Sequence, residues 1–278
     1  MIPILYLLNV VCSAGQSALG KQYAKRGGES LPFNINKAVI GSILFLALGW
    51  INGFSRHVQT MLFGIGYGIS LCISMHTGFK ALSIGPMALT SIIASFSLII
   101  PFLFGIILWN ESLTLLKFIG IILLLFSLIL INIKKETGFS AKWLFYALAT
   151  LLTNGICSVI QKMHQINFPT LYRTEFMFWA LLCVSIILLV THNTKKNRKE
   201  HFEFSLLGIA SGVANCCANY IVLYLSATEN ASVLFPIIAV ANIITVWAIG
   251  LLFFKERLKI LQTIGLIIGV VSVVLLKI

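Results

Sequence analysis

Ten long apolar runs separated by short polar breaks leave this chain few ways to fold. They lie at residues 2–24, 36–54, 59–80, 86–109, 114–133, 141–165, 171–192, 204–227, 231–254 and 259–277. Each is close to the roughly 20 residues that an α-helix needs to cross the ~30 Å hydrocarbon layer of a bilayer. The runs are continuous stretches of Leu, Ile and Phe without the two-residue alternation of a membrane β-strand, so helices that satisfy their own backbone hydrogen bonds are expected. Composition matters here for one exclusion. With 59% hydrophobic residues, 10% charged residues and a mean hydropathy of +0.99, a chain of 278 residues cannot be a soluble domain. An all-α integral membrane protein of ten transmembrane helices follows. Met1-Ile2-Pro3 offers no basic leader and Ala24-Lys25-Arg26 no cleavage site, so the first run is expected to be a retained helix, not a signal peptide.

The net charge of +12 would suit a nucleic-acid partner if it formed a patch, but the basic residues sit at run ends and in short loops. There they set topology instead. Fifteen of the twenty Lys and Arg flank the odd-numbered loops: Lys21, Lys25, Arg26, Lys37, Lys80, Lys134, Lys135, Lys142, Lys195, Lys196, Arg198, Lys199, Lys255, Arg257 and Lys259. Arg56, Lys117, Lys162, Arg173 and Lys277 lie on the other side. The bias puts the odd loops in the cytoplasm and both termini outside, in a bacterial inner (plasma) membrane. The basic loop from Lys195 to Glu203 reads as a solvated turn drawn to anionic lipid.

The chain also repeats itself. Placing Glu111 on Glu256 matches Leu113 to Leu258, Ile119 to Ile264 and Gly120 to Gly265 without a gap. Ala81-Leu82-Ser83 before the fourth run echoes Tyr224-Leu225-Ser226-Ala227 before the ninth, and Gly15 and Lys21 have weaker counterparts in Gly155 and Lys162. Residues 1–136 and 137–278 are therefore two copies of a five-helix unit within one membrane body. Because five is odd, the second copy enters the bilayer with opposite orientation. Two inverted five-helix repeats are the architecture of secondary transporters, which alternate access to one central site.

The turn Asn110-Glu111-Ser112-Leu113-Thr114 with Gly120, and the turn Lys255-Glu256-Arg257-Leu258-Lys259 with Gln262, Gly265 and Gly269, resemble the drug/metabolite transporter superfamily, specifically its EamA-type ten-helix members. In that family each half closes its fourth helix with a Gly-Glu-x-Leu-Thr-like turn; here Asn110 and Lys255 replace the glycine, and the mid-helix proline is displaced to Pro101 and Pro236. The resemblance implies a metabolite transporter. It also implies cytoplasmic termini, against the charge count, and the charge count is retained. Glu111 and Glu256 are expected to cap the helix that follows them or to pair with Lys117 and Lys259.

Polar side chains at mid-bilayer depth must face protein or a water-filled cavity, and they define the candidate substrate site. Asn154, Asn215 and Asn242 each fall near the centre of a run; the repeat register places Asn242 on Ser97, beside Ser95, and Gln16 lies near the middle of the first run. Asn219 shares a helix face with Asn215 and has Tyr220 beside it; Tyr67, Phe96, Tyr220 or Trp247 could supply aromatic walls. The same amides and hydroxyls serve equally well as glue between helices. His76 is the one histidine placed clearly inside a run, suited to carrying a proton or to bonding a neighbouring helix. Lys21 and Lys162 lie near opposite mouths, as snorkelling anchors or as attractors of anionic substrate.

All eight acidic residues are Glu, and each falls at a loop or a run end. A midplane carboxylate is the usual proton carrier and the usual counter-ion for a cationic drug, so a neutral, zwitterionic or weakly anionic metabolite such as an amino acid fits better. Quaternary amines remain an alternative through an aromatic cage, which needs no carboxylate. An intramembrane enzyme would need a nucleophile, paired acids or a metal cluster, and neither His-Glu-x-x-His nor Gly-x-Ser-x-Gly occurs. A non-transporting scaffold is the remote alternative. The six cysteines, Cys12, Cys72, Cys157, Cys183, Cys216 and Cys217, have no metal-ligand spacing and read as small packing residues. No cofactor or metal is expected, and the partners are a small-molecule metabolite and the lipid bilayer, with a monomer as the working unit.

Overall fold

A computed structural model describes residues 2–51, 53–84, 90, 93–132, 140–168, 170–194, 205–241 and 260–277. Ten α-helices run through them: α1 Ile2–Lys25, α2 Ser30–Ile51, α3 Val58–Ile84, α4 Ile93–Leu108, α5 Leu115–Asn132, α6 Ala141–Asn167, α7 Arg173–Asn193, α8 Leu206–Thr228, α9 Ala231–Ala241 and α10 Ile260–Lys277. Six of them, α1, α2, α3, α6, α7 and α8, are long and apolar enough to cross a bilayer. Parts of the fourth and ninth runs, with the Phe253–Lys259 stretch, Trp247 and the 136/137 repeat boundary, lie outside the described residues. The α2 helix starts at Ser30, six residues before its apolar run. Its first turn holds Pro32, harmless where no N–H is needed, and the polar Asn34 and Asn36 had hidden the turn from a hydropathy reading.

Local chemistry sets the helix ends. Oxygens of Thr114, Ser140 and Ser205 accept from the N–H groups of Lys117, Trp143 and Gly208 at 3.3, 3.1 and 3.0 Å, capping α5, α6 and α8. The α1 helix ends at Gly27, whose φ is +82°. After α4, Asn110 takes the left-handed conformation (φ +50°), which asparagine tolerates, and the Glu111 N–H folds back onto the Gly105 carbonyl at 3.0 Å.

The chain packs as two compact units. The first comprises Met1–Cys72 and Ile160–Ala227, the second Ile73–Val159 and Thr228–Ile278, so each draws on both halves of the sequence. In the first unit α2 packs along α7, Gly41 facing Leu181 while Gly49 faces Thr174; the two helices are therefore antiparallel. By the same test α3 runs parallel to α7, with Gly64 against Phe176 and Gly68 against Cys183. Asn9 Nδ2 donates to the Ala218 carbonyl at 2.9 Å, and Gln16 meets Asn215, so α1 and α8 are antiparallel. An odd and an even helix always oppose and two odd helices agree, as a chain threading a membrane back and forth requires.

In the second unit α5 packs antiparallel along α10. Ser127 Oγ donates to the Gly265 carbonyl at 2.6 Å. At the other end a Cβ on Gly120 would lie 3.2 Å from the Ser272 carbonyl. The register that puts Gly120 on Gly265 also puts Ser127 on Ser272, so Gly120 meets Ser272 as Gly265 meets Ser127. The two copies pack their fifth helices through a self-complementary, inverted contact. Leu98, Phe102, Ile121, Leu124, Leu128, Val240 and Leu276 form the core beside it.

Glu111 does not cap the helix that follows it. Its carboxylate crosses to the second copy and accepts from the N–H groups of Ala231 and Ser232 at 2.6 and 2.8 Å, the start of α9. A helix N-terminus carries partial positive charge, which makes this the stronger use of an anion. Lys117 Nζ donates to the Ser112 carbonyl at 3.2 Å instead of pairing with it. Glu256 lies outside the described residues.

Candidate functional site

Three of the expected site residues meet in the first unit. Asn215 Nδ2 of α8 donates to Gln16 Oε1 of α1 at 3.0 Å, and one turn on, Asn219 Nδ2 donates to the Asn215 carbonyl at 2.9 Å. That second bond fixes the Asn219 amide, since a carbonyl can only accept, and leaves its Oδ1 open. In the Gln16–Asn215 pair either amide assignment leaves one free donor end and one free acceptor end. The cluster thus offers one donor and two acceptors at half-buried positions. Tyr220, next to Asn219, is 40% exposed. Tyr67 is buried edge-on against Phe176, ring centroids 5.6 Å apart, and so belongs to the packing between α3 and α7.

Of the other candidates, Asn154, Ser95, Ser97 and His76 fall in the second unit and Lys162 in the first. Asn154 Oδ1 accepts from Ser74 Oγ at 2.6 Å, and one turn away Thr150 Oγ1 donates to Thr77 Oγ1 at 2.9 Å; together they tie α3 to antiparallel α6. Ser95 and Ser97 stand at the 3-10 turn Phe96–Leu98 inside α4, with the Phe96 ring packed on the core of that unit. Asn242 and the Lys21 side chain lie outside what is described. His76 is exposed on α3. Lys162 is no surface anchor: it is 4% exposed, and its Nζ donates to the Ser226 carbonyl at 2.7 Å. All six cysteines lie in helices, and no group able to hold a metal occurs among the described residues.

Sequence reasoning missed a buried polar network of the first unit, among the described residues. His164 lies inside α6 at 1% exposure, correcting the view that His76 alone is within a span. It is sandwiched between Phe168 and Phe176, with ring centroids at 4.9 and 4.5 Å. From it a chain of hydrogen bonds runs both ways. Arg173 Nε contacts Gln165 Oε1 at 3.0 Å, Gln165 Nε2 contacts His164 Nδ1 at 2.9 Å, His164 Nε2 contacts Thr60 Oγ1 at 3.1 Å, and Thr60 Oγ1 contacts His57 Nδ1 at 3.1 Å.

Every donor in this chain can be assigned from one end. Arginine only donates, so the Gln165 atom facing it must be oxygen, and the Gln165 nitrogen then donates to His164 Nδ1. His164 must carry its proton on Nε2 and give it to Thr60, whose hydroxyl donates on to His57 Nδ1. The Thr60 N–H also points at His57 Nδ1, at 3.3 Å, which confirms that this nitrogen accepts. Both rings are neutral in this arrangement.

Beside the chain sits Glu175, 1% exposed. Its Oε1 accepts from the His57 N–H at 2.7 Å, and Oε2 accepts from the Ser55 N–H at 3.3 Å and the Ser55 hydroxyl at 3.1 Å. The carboxylate therefore closes the N-terminus of α3. Its place at a run end hides its burial from a reading of the sequence alone. One signal was legible: Gln161-Lys162-Met163-His164-Gln165 places four hydrogen-bonding side chains in five residues at the end of a 27-residue helix.

Comparison with known proteins agrees with this architecture. The family model described as "EamA-like transporter family" matches twice, over residues 1–133 and 141–278. No curated relative matches the chain. Twenty-nine solved chains match it in structure. One, a crystal structure of a protein, superposes with a TM-score of 0.78 over 99% of this chain and 98% of that one at 17% sequence identity, a likeness of fold alone.

Proposed function

The chain belongs to the EamA-like transporter family, an integral membrane protein of the drug/metabolite transporter type, and from that premise we propose that it moves a small neutral, zwitterionic or weakly anionic metabolite, such as an amino acid, by alternating access. One observation carries the substrate class: Gln16, Asn215 and Asn219 leave one hydrogen-bond donor and two acceptors free at half-buried positions. A zwitterion needs both kinds, acceptors for an ammonium group and donors for a carboxylate. A buried carboxylate that could hold a cationic drug is missing among the described residues, because both oxygens of Glu175 are engaged at the start of α3. We read the protein as a transporter without catalytic chemistry, working as a monomer through its two copies at residues 1–136 and 137–278.

Counterflow in proteoliposomes tests the reading. The purified chain, loaded with one amino acid or carboxylate of a broad panel, is expected to exchange at least one labelled solute. Asn215→Ala removes both the bond to Gln16 and a free acceptor, and exchange should fall by roughly tenfold or more with the elution profile unchanged. Unchanged exchange rejects the amide cluster as the site. Orientation is checked separately: on the Lys and Arg bias, a reporter fused at Ile278 should read out as external to the cytoplasm, and a cytoplasmic readout overturns that assignment.

A further inference from the structure

We propose that Arg173 is the anion-binding residue of the transport site, taking a substrate carboxylate on its two terminal nitrogens; this rests on the transporter reading and narrows it to solutes that carry a carboxylate. Arg173 opens α7 and is only 7% exposed. A guanidinium stays charged at any physiological pH, and a buried charge is expensive to keep unless something of opposite sign meets it. Glu175, two residues on, does not, since its oxygens belong to Ser55 and His57.

The protein uses Arg173 only partly. Its Nε is committed to Gln165 Oε1, and its Cζ lies over the Tyr224 ring, 5.3 Å from the centroid. The terminal nitrogens have no protein hydrogen bond among the described residues, and they are not among the polar atoms sealed from solvent. Of the two edges that can take an oxyanion bidentately, the one formed by the two terminal nitrogens therefore remains available, in the forked geometry that matches a carboxylate.

Neighbouring residues fit the same ligand. Gln161 lies one turn before Gln165 on the same face of α6, 4% exposed, with its Nε2 buried and unpartnered. Tyr220 lies one turn before Tyr224 on α8 and is bonded in sequence to Asn219 of the amide cluster. Unspent donors thus lie on α6 and α7 and unspent acceptors on α8, all within the first unit. The hydrogen-bond chain through Gln165, His164, Thr60 and His57 is the positioning element, holding the fork by its Nε edge.

The experiment compares acids with their amides in the wild-type chain, so it does not depend on a variant folding. Proteoliposomes are assayed by counterflow with amino acids, short mono- and dicarboxylates, the matching amides such as leucinamide for leucine, and inorganic phosphate. At least one acid is expected to exchange, with its amide slower by roughly tenfold or more, the loss of a bidentate charge-assisted contact. Arg173→Lys keeps the charge and removes the fork; it should lower the ratio of acid to amide exchange by roughly tenfold. An amide exchanged as fast as its acid, an Arg173→Lys variant with undiminished selectivity, or phosphate exchanged in place of every carboxylate overturns the role of Arg173 while leaving the transport reading intact. Absence of exchange across the whole panel overturns both.

Discussion

Glu175→Ala is expected to lower the thermal unfolding midpoint of the detergent-solubilised chain more than any other single side-chain truncation in the first unit, by the equivalent of about 3 kcal/mol or more. Three donors lose their acceptor at once: the N–H groups of Ser55 and His57 and the Ser55 hydroxyl. A hydrogen bond to a charged partner contributes about 1.5–3 kcal/mol, and a donor stranded in a buried position adds its own desolvation penalty. The carboxylate also faces the positive end of α3, a contribution of about 1 kcal/mol that alanine cannot replace.

Glu175→Gln separates these terms. Glutamine can still accept from His57 through one oxygen, but its NH2 must face the Ser55 N–H where Oε2 now accepts, so roughly half of the loss should remain. Equal melting of wild type, Gln and Ala variants, read by temperature-dependent size-exclusion recovery, would show that α3 does not need this carboxylate. Transport should fail in the Ala variant for a further reason. His57 is one end of the hydrogen-bond chain that reaches Arg173, and its backbone N–H is held by Glu175.

What the sequence made legible divides along physical lines. Apolar length is a property of consecutive residues, so the ten spans could be read directly, and their parity fixed the directions now seen in α1 against α8, α2 against α7 and α5 against α10. The repeat register was legible from Glu111, Gly120 and their counterparts because glycine and turn residues are rare among apolar runs. It reached further than its anchors, as the reciprocal approach of Ser127 and Ser272 indicates. Asn215 and Gln16, which the structure brings together, stand out in the sequence because each is an amide at mid-span depth.

The network around Arg173 was not legible, for the opposite reason. Its members come from α3, α6 and α7 and lie close to helix ends, where polar side chains are ordinary and carry no signal of burial. Only packing decides whether such a residue snorkels or turns inward, and Lys162 turned inward onto Ser226. Glu111 shows the same limit: its acceptor role was foreseen, but its partners are 120 residues away in the second copy.

Gly68→Val should abolish folded protein, Gly64→Ala should destabilise it by about 3 kcal/mol, and Gly66→Ala should be neutral or slightly stabilising. The three glycines lie within five residues of one helix, so propensity alone would rank them alike. Packing separates them. A Cβ on Gly64 would meet the Phe176 carbonyl at 2.7 Å and Trp179 Cβ at 2.8 Å, and one on Gly68 would meet the Ala180 carbonyl at 2.7 Å and Cys183 Cβ at 2.9 Å. Backbone oxygens and Cβ atoms cannot swing aside, so α3 would have to move away from α7 as a body. Gly66 has no heavy atom within 4 Å of the same position. There alanine gains helix propensity of about 0.5–1 kcal/mol and loses nothing. Temperature-dependent recovery of the monodisperse peak for the three variants decides the matter, and similar losses at all three positions would mean that the close approach of α3 and α7 is not what requires glycine. The consequence extends to the site, because Phe176 stacks on His164 at this same contact. A Gly64→Ala variant that still folds should lose acid-over-amide selectivity before it loses amide exchange, since displacing Phe176 loosens His164 and, through Gln165, the fork of Arg173.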